Sequence, residues 1–195
     1  MAELPLFPLH TVLFPGGPLP LRIFETRYLD MLSRCLRNDQ GFGVCLIEQG
    51  RGSVPARTHT VGTLAHIRDW SSGADGLLNI LTVGGQRFRV HRVRIQHDGL
   101  NIAEVEWLAE ETPLPLPPES RPLAELLRGI LEQHAQRYAA ITPAYADASW
   151  VGYRLAEVLP LALPQRQYLL EVADARLRLD SIGTLVQALR PATAG

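Results

Sequence analysis

The sequence predicts an α+β protein, with a strand-rich first half of one helix and many short strands followed by a helical second half. Three observations carry this. Short apolar runs of strand length, broken by glycine and proline, fill the chain up to residue 112. Four prolines then fall within residues 113–118, which disfavours both helix and central strand. Beyond them the apolar residues recur at helical spacing. The expected division is 1–112 as a small barrel or pair of packed sheets, 113–122 as a proline-rich linker, and 123–195 as a helical bundle.

Leu4 to Leu9 and Val12 to Phe14 are apolar, proline-punctuated segments, and Pro15-Gly16-Gly17-Pro18 reads as a turn. Leu19 to Phe24 reads as a strand. From Glu25 to Leu36 the period changes: Tyr28, Leu29, Leu32, Cys35 and Leu36 fall on one face of an amphipathic helix. Phe42 to Ile47, Val61 to Ile67, Leu77 to Val83, Phe88 to Ile95 and Ile102 to Trp107 are strand-like, with glycine-bearing turns between them. The run around Phe88 does not keep a single period of two. Phe88 and Val90 share one face, Val93 and Ile95 the other, so burying all four requires a β-bulge near His91 and Arg92. Ser71 and Ser72, in WSSGADG, read as part of a flexible hairpin loop.

In the second half, Glu119 or Ser120 caps a helix reaching about Tyr138, with Pro122 in its first turn and Leu123, Leu126, Leu127, Ile130 and Leu131 inward. Ser149 is the expected cap of a helix from Trp150 to Leu159, stopped by Pro160. Pro164 starts a third helix carrying Tyr168, Leu169 and Leu170. Asp174 caps a fourth, with Leu177, Leu179, Ile182, Leu185, Val186 and Leu189 inward.

Composition excludes several classes of function. The 195 residues are 46% hydrophobic and 20% charged, with mean hydropathy +0.01 and net charge −1, so no global field points to nucleic acid or anionic lipid. All 19 basic residues are arginine, which removes Schiff-base catalysis, a Walker A lysine and a Ser–Lys dyad. No apolar run reaches the ~18 residues of a membrane span, and the start lacks the layout of a signal peptide. Cys35 and Cys45 lie in apolar stretches outside any zinc or redox spacing and read as buried thiols. The expected setting is cytoplasmic, with no cofactor, no metal and no catalytic residue. The six histidines form no short ligand pair, and no serine lies in a GxSxG turn.

LPLFPLHTVLFPGGPLPLRIFETRYLDML, from Leu4 to Leu32, resembles the start of the substrate-binding N-terminal domain of Lon proteases: the LPLFPL strand, the VLFPG turn, the LPL strand and IFE-x-RY leading into a helix. FGVCLI (42–47), VGTLAHI (61–67), GGQRFRV (84–90) and AEVEWL (103–108) are similar to the later strands in order. LPLALPQRQYLLEVADARLRLDSI (159–182) is similar to the helical end of that domain. The resemblance implies a PUA-like β-barrel and an α-helical subdomain, in a stand-alone member without ATPase or peptidase domains. It also implies a non-enzymatic polypeptide-binding module, an adaptor or holding surface for unfolded or tagged proteins, with a separate protease as a further partner.

Three sets of residues are candidates. Phe14, Leu19, Leu21 and Arg22 belong to an apolar proline-glycine stretch that takes an extended peptide if it leaves a groove open. Arg87, Arg89, Arg92 and Arg94, with His91, form the one local basic cluster, the seat of an alternative RNA-binding role for a PUA-like module. Glu104, Glu106, Glu110 and Glu111 follow on the expected neighbouring strand and neutralise it, so nucleic acid is not the expected partner. Glu25 and Arg27 read as a helix cap and a salt bridge. A hydrolase of unknown substrate, with a site between the halves, stays open as a further class.

Overall fold

A computed structural model describes residues 1–49, 57–73, 77–139 and 141–189. The chain divides into two compact units, Met1–Glu110 and Glu111–Gly195.

The first unit contains β1 (Ala2–Leu9), β2 (Pro18–Ile23), α1 (Thr26–Asn38), β3 (Phe42–Gln49), β4 (Arg57–Thr58), β5 (Val61–Ser72), β6 (Leu78–Ile95) and β7 (Asn101–Trp107). All pairings in this seven-stranded sheet are antiparallel except β1 with β3. The pairs β1–β7, β7–β6, β6–β5, β5–β3 and β3–β1 return to their starting strand, so hydrogen bonding runs round a closed circuit of five strands. All five contribute to one core cluster, in which Phe88 packs with Leu4, Leu6, Cys45, Ala103 and Val105, and Leu64 lies against it. A second core lies under α1, where Tyr28, Met31, Leu32 and Cys35 meet Phe7, Phe42 and Ile80. β1 sends Leu6 to one core and Phe7 to the other, which is why LPLFPL is apolar on both faces. Each fully buried Met or Leu of α1 contributes about 2 kcal/mol.

Two strands expected from sequence, Leu77 to Val83 and Phe88 to Ile95, are one strand, β6. Gly84 and Gly85 do not turn the chain. They let β6 pass under the Phe14–Gly17 turn, where Gly16 N–H donates to the Gly84 carbonyl at 2.7 Å and Gly84 N–H to the Gly17 carbonyl at 2.9 Å. A β-carbon on Gly84 would stand 2.1 Å from the Phe14 carbonyl oxygen. The expected slip in β6 is present, as a register shift against β7 between Val90 and Arg92. Its expected purpose is not met, because Val93 and Ile95 are exposed. Ser71 and Ser72 end β5, and residues 74–76 of the expected hairpin loop lie outside the described residues.

In the second unit, a 3-10 turn (Pro118–Ser120) leads into α2 (Arg121–Gln133). α3 (Ala135–Tyr138), α4 (Ala148–Val158), α5 (Leu163–Glu171) and α6 (Ala175–Leu189) follow. The single expected helix to Tyr138 breaks at His134, whose φ of −117° and ψ of 29° leave the helical region. Asp147, not Ser149, caps α4: its carboxylate accepts from Ser149 N–H at 3.1 Å. The same oxygen accepts from Leu114 N–H at 3.1 Å, and Leu116 and Ala148 complete backbone bonds between the proline-rich stretch and the start of α4. That stretch is therefore hydrogen-bonded into the helical unit. Asp174 caps α6 as expected, accepting from Arg176 and Leu177 N–H. Leu126, Leu177 and Leu189 are exposed rather than inward, and Tyr168 on α5 is exposed as well. The unit buries instead two arginines that an apolar pattern does not show, Arg154 and Arg178.

Candidate functional site

The end of β1, the end of β2 and the first turn of α1 enclose a cleft of about 320 Å³ in the first unit. Phe7, Leu9, Leu21 and Tyr28 supply apolar walls, and Phe24, 69% exposed, stands at its edge. Phe24 faces outward because it follows a strand whose inward side already holds Leu19, Leu21 and Ile23 against the core. Among the described residues Phe24 is the most exposed aromatic side chain.

One arginine ties the edges of the cleft together. Arg27 donates from Nη2 to Glu25 Oε2 at 2.6 Å and from Nη1 to the Gly99 carbonyl at 3.1 Å. Its guanidinium also lies 4.8 Å from the centre of the Tyr28 ring, which in turn packs 4.0 Å from that of Phe7. Gly99 has φ +82°, a conformation that favours glycine, and this aims its carbonyl at Arg27. Burial raises the Tyr28 phenol above its usual pKa, against a smaller opposing pull from Arg27 and with a push from Glu25. The expected salt bridge between Glu25 and Arg27 is present. The expected side-chain cap is not: Glu25 occupies the N-cap, but only its carbonyl accepts helix amides, from Tyr28 and Leu29.

Of the four residues proposed from sequence for peptide contact, Leu21 and Arg22 line this cleft. Leu19 packs against the core outside it. Phe14 is 1% exposed, because the turn it begins is covered by β6, and it offers nothing to a ligand. Sequence reasoning missed Phe24, although continuing the alternation of β2 by one residue puts it on the outer face.

A second cleft, of about 350 Å³, lies among β4, β6 and β7 and holds Glu48, His59, His91 and Arg92. It takes in part of the basic strand, but that strand is not one positive face. Arg87 is buried, and its residue pair is on β5. Arg94 donates to both Glu3 oxygens at 3.0–3.1 Å, and His91 Nε2 lies 3.0 Å from Glu106 Oε2. Arg89 and Arg92 stand in register with Glu106 and Glu104, so the expected carboxylates of β7 lie beside the basic strand, although among the described residues neither arginine forms an ion pair with them. Glu111 takes no part in this, since it pairs with Arg178 in the helical unit. Among the described residues no group of three or more His, Cys, Asp or Glu is placed to hold a metal, and no helix is long and apolar enough to cross a membrane.

Comparison with known proteins accords with this architecture. A zebrafish (Danio rerio) protein, cereblon, is 35% identical over 115 residues, 55% of this chain and 26% of its own. Lon protease 2 of Myxococcus xanthus is 25% identical over 196 residues, covering 96% of this chain and 24% of its own. The chain thus spans about a quarter of the length of these curated relatives. Among solved structures, a Lon N-terminal domain protein from Xanthomonas campestris superposes with a TM-score of 0.81 at 39% identity, covering 98% of this chain and all of that one. The N-terminal domain of a Mycobacterium avium complex Lon protease shares the fold, with a TM-score of 0.66 at 17% identity over 95% and 98% of the two chains. The family model of the ATP-dependent protease La (LON) substrate-binding domain matches residues 3–188, and the chain belongs to that family.

Proposed function

We propose that the first unit holds extended or unfolded polypeptide segments in the cleft beside Phe24, and acts by binding rather than by catalysis. The observation that carries this is the exposed Phe24 ring beside walls of Phe7, Leu9 and Leu21, fixed in place by Arg27. Apolar contact on a rigid frame suits a ligand of varied sequence, because the surface loses little freedom on binding and imposes few directional demands. Family membership supports protein as the ligand. On this reading the closed strand circuit is a PUA-like barrel that presents the cleft. The chain serves as an adaptor or holding surface for clients, with a separate protease as one recipient. The buried thiols of Cys35 and Cys45 fit a reducing, cytoplasmic setting.

A two-dimensional amide NMR titration with a permanently unfolded protein, such as reduced and carboxymethylated lactalbumin, tests the location. Shifts confined to Leu21, Phe24, Tyr28 and their neighbours support the reading. Shifts confined to the helical unit, or none at saturating protein, contradict it.

A further inference from the structure

Asn101, the first residue of β7, lines both clefts of the first unit. It is 7% exposed, and among the described residues no hydrogen bond reaches its side chain. Its register neighbours are Leu6 on β1 and Ile95 on β6, so the amide stands at an otherwise apolar level of the sheet. The amide is not shut off from solvent, so a residue that lines both clefts can exchange water for a partner brought from outside. A carboxamide offers a donor and an acceptor side by side, the complement of a peptide bond.

Strand addition, the other common way to bind a main chain, is obstructed at the neighbouring edge. The bond from Gly84 N–H to the Gly17 carbonyl sets the pairing of β2 with β6 so that Leu19, Leu21 and Ile23 direct their backbone groups at β6. Pro18, Pro20 and Arg22 therefore face the outer edge, and the two prolines have no N–H to offer. The second cleft adds a charge preference. Its His91 is engaged by Glu106, and Arg57 lies 3.8 Å from Glu48, whereas Arg92, in register with Glu104, has no ion pair among the described residues.

We propose that Asn101 hydrogen-bonds the main chain of an extended polypeptide laid from the first cleft into the second, with an apolar side chain against Phe24 and an acidic one facing Arg92. This rests on the polypeptide-binding reading above and names how the segment is gripped. Reading the main chain leaves client sequence largely free, while the Arg92 end favours segments in which an acidic residue follows an apolar one.

Short fluorescein-labelled peptides test this by anisotropy. Each contains a Leu-Leu pair in a Gly/Ser background, followed a few residues later by Asp or by Ser. The wild type is expected to bind the Asp peptide more tightly, and Arg92→Ala to remove that preference alone. Asn101→Leu is expected to weaken both peptides by about tenfold. Replacing single peptide amides by esters along the probe should find one position that matters to the wild type and not to Asn101→Leu. Thermal melting checks that each variant folds, and the isosteric Asn101→Asp replaces the leucine variant if that one does not. If Asn101→Leu and Asn101→Asp bind like the wild type while Phe24→Asp loses binding, the Asn101 anchor is wrong and the apolar cleft stands. If Phe24→Asp also binds like the wild type, both readings fall.

Discussion

Arg27 Nη1 donates to the carbonyl of Gly99 at 3.1 Å, joining the first turn of α1 to the β6–β7 turn 72 residues further along the chain. The same guanidinium holds Glu25, so one side chain fixes two edges of the apolar cleft. Lysine has no fork with which to do both.

Arg27→Ala is therefore expected to cost about 1 kcal/mol of stability, since the side chain is partly exposed and the ion pair is screened. Its effect on peptide affinity should be larger than that loss implies, because the walls of the cleft lose their register. Urea unfolding and anisotropy on the same preparation separate the two. Arg27→Lys should resemble Arg27→Ala in binding.

Gly84→Ala is expected to destabilise the first unit by about 2 kcal/mol, because a methyl group must push back the Phe14 carbonyl and open the turn hydrogen-bonded to Gly84. Gly129→Ala, in α2 with open space around the position, should be neutral or slightly stabilising. A shared or reversed ranking in urea melts would show that the close approach at Gly84 does not constrain the fold.

Most elements of the first unit were legible because their apolar residues keep a clear period and their ends carry glycine or proline. The slip at His91 and Arg92 was legible for the same reason, as a break in period two. What sequence did not disclose depended on partners far along the chain. Gly84 and Gly85 look like a turn until the Phe14–Gly17 segment is laid over them. Phe14 looks like a candidate contact until that same packing buries it. Asn101 reads as an ordinary strand residue, and only its place between two clefts makes it a candidate. Arg178, 0% exposed, reads as a surface arginine of α6 because nothing local announces Glu111, 67 residues earlier, as its partner.

That buried pair gives the helical unit an acid-sensitive joint. Arg178 donates to both oxygens of Glu111, to the Val172 carbonyl at 2.6 Å and to the Leu169 carbonyl at 3.1 Å, and Tyr153 donates its hydroxyl to the same carboxylate. Burial alone would raise the pKa of Glu111, but the hydrogen bonds from Arg178 and Tyr153 and the charge of Arg178 outweigh it and hold the carboxyl below its usual range. A pKa lower in the folded state means stability that is complete above the ordinary carboxylate value. It is lost as pH falls through the depressed one. Glu111→Ala strands the buried guanidinium and should cost about 3 kcal/mol at neutral pH. The variant should also lose part of the wild type's acid dependence. Parallel unfolding curves for the two proteins from neutral pH down into the carboxylate range decide this, and an unchanged acid slope would rule the joint out.

The central claim, that the cleft beside Phe24 is where polypeptide binds, is tested most directly by Phe24→Asp. Phe24 is 69% exposed, so the substitution should leave the melting temperature nearly unchanged. The measurement is the affinity of this variant for reduced, carboxymethylated lactalbumin, beside the wild type at equal ionic strength. A loss of tenfold or more, roughly the 1–2 kcal/mol expected for an exposed aromatic contact, is the predicted result. Unchanged affinity in a folded variant would contradict the account.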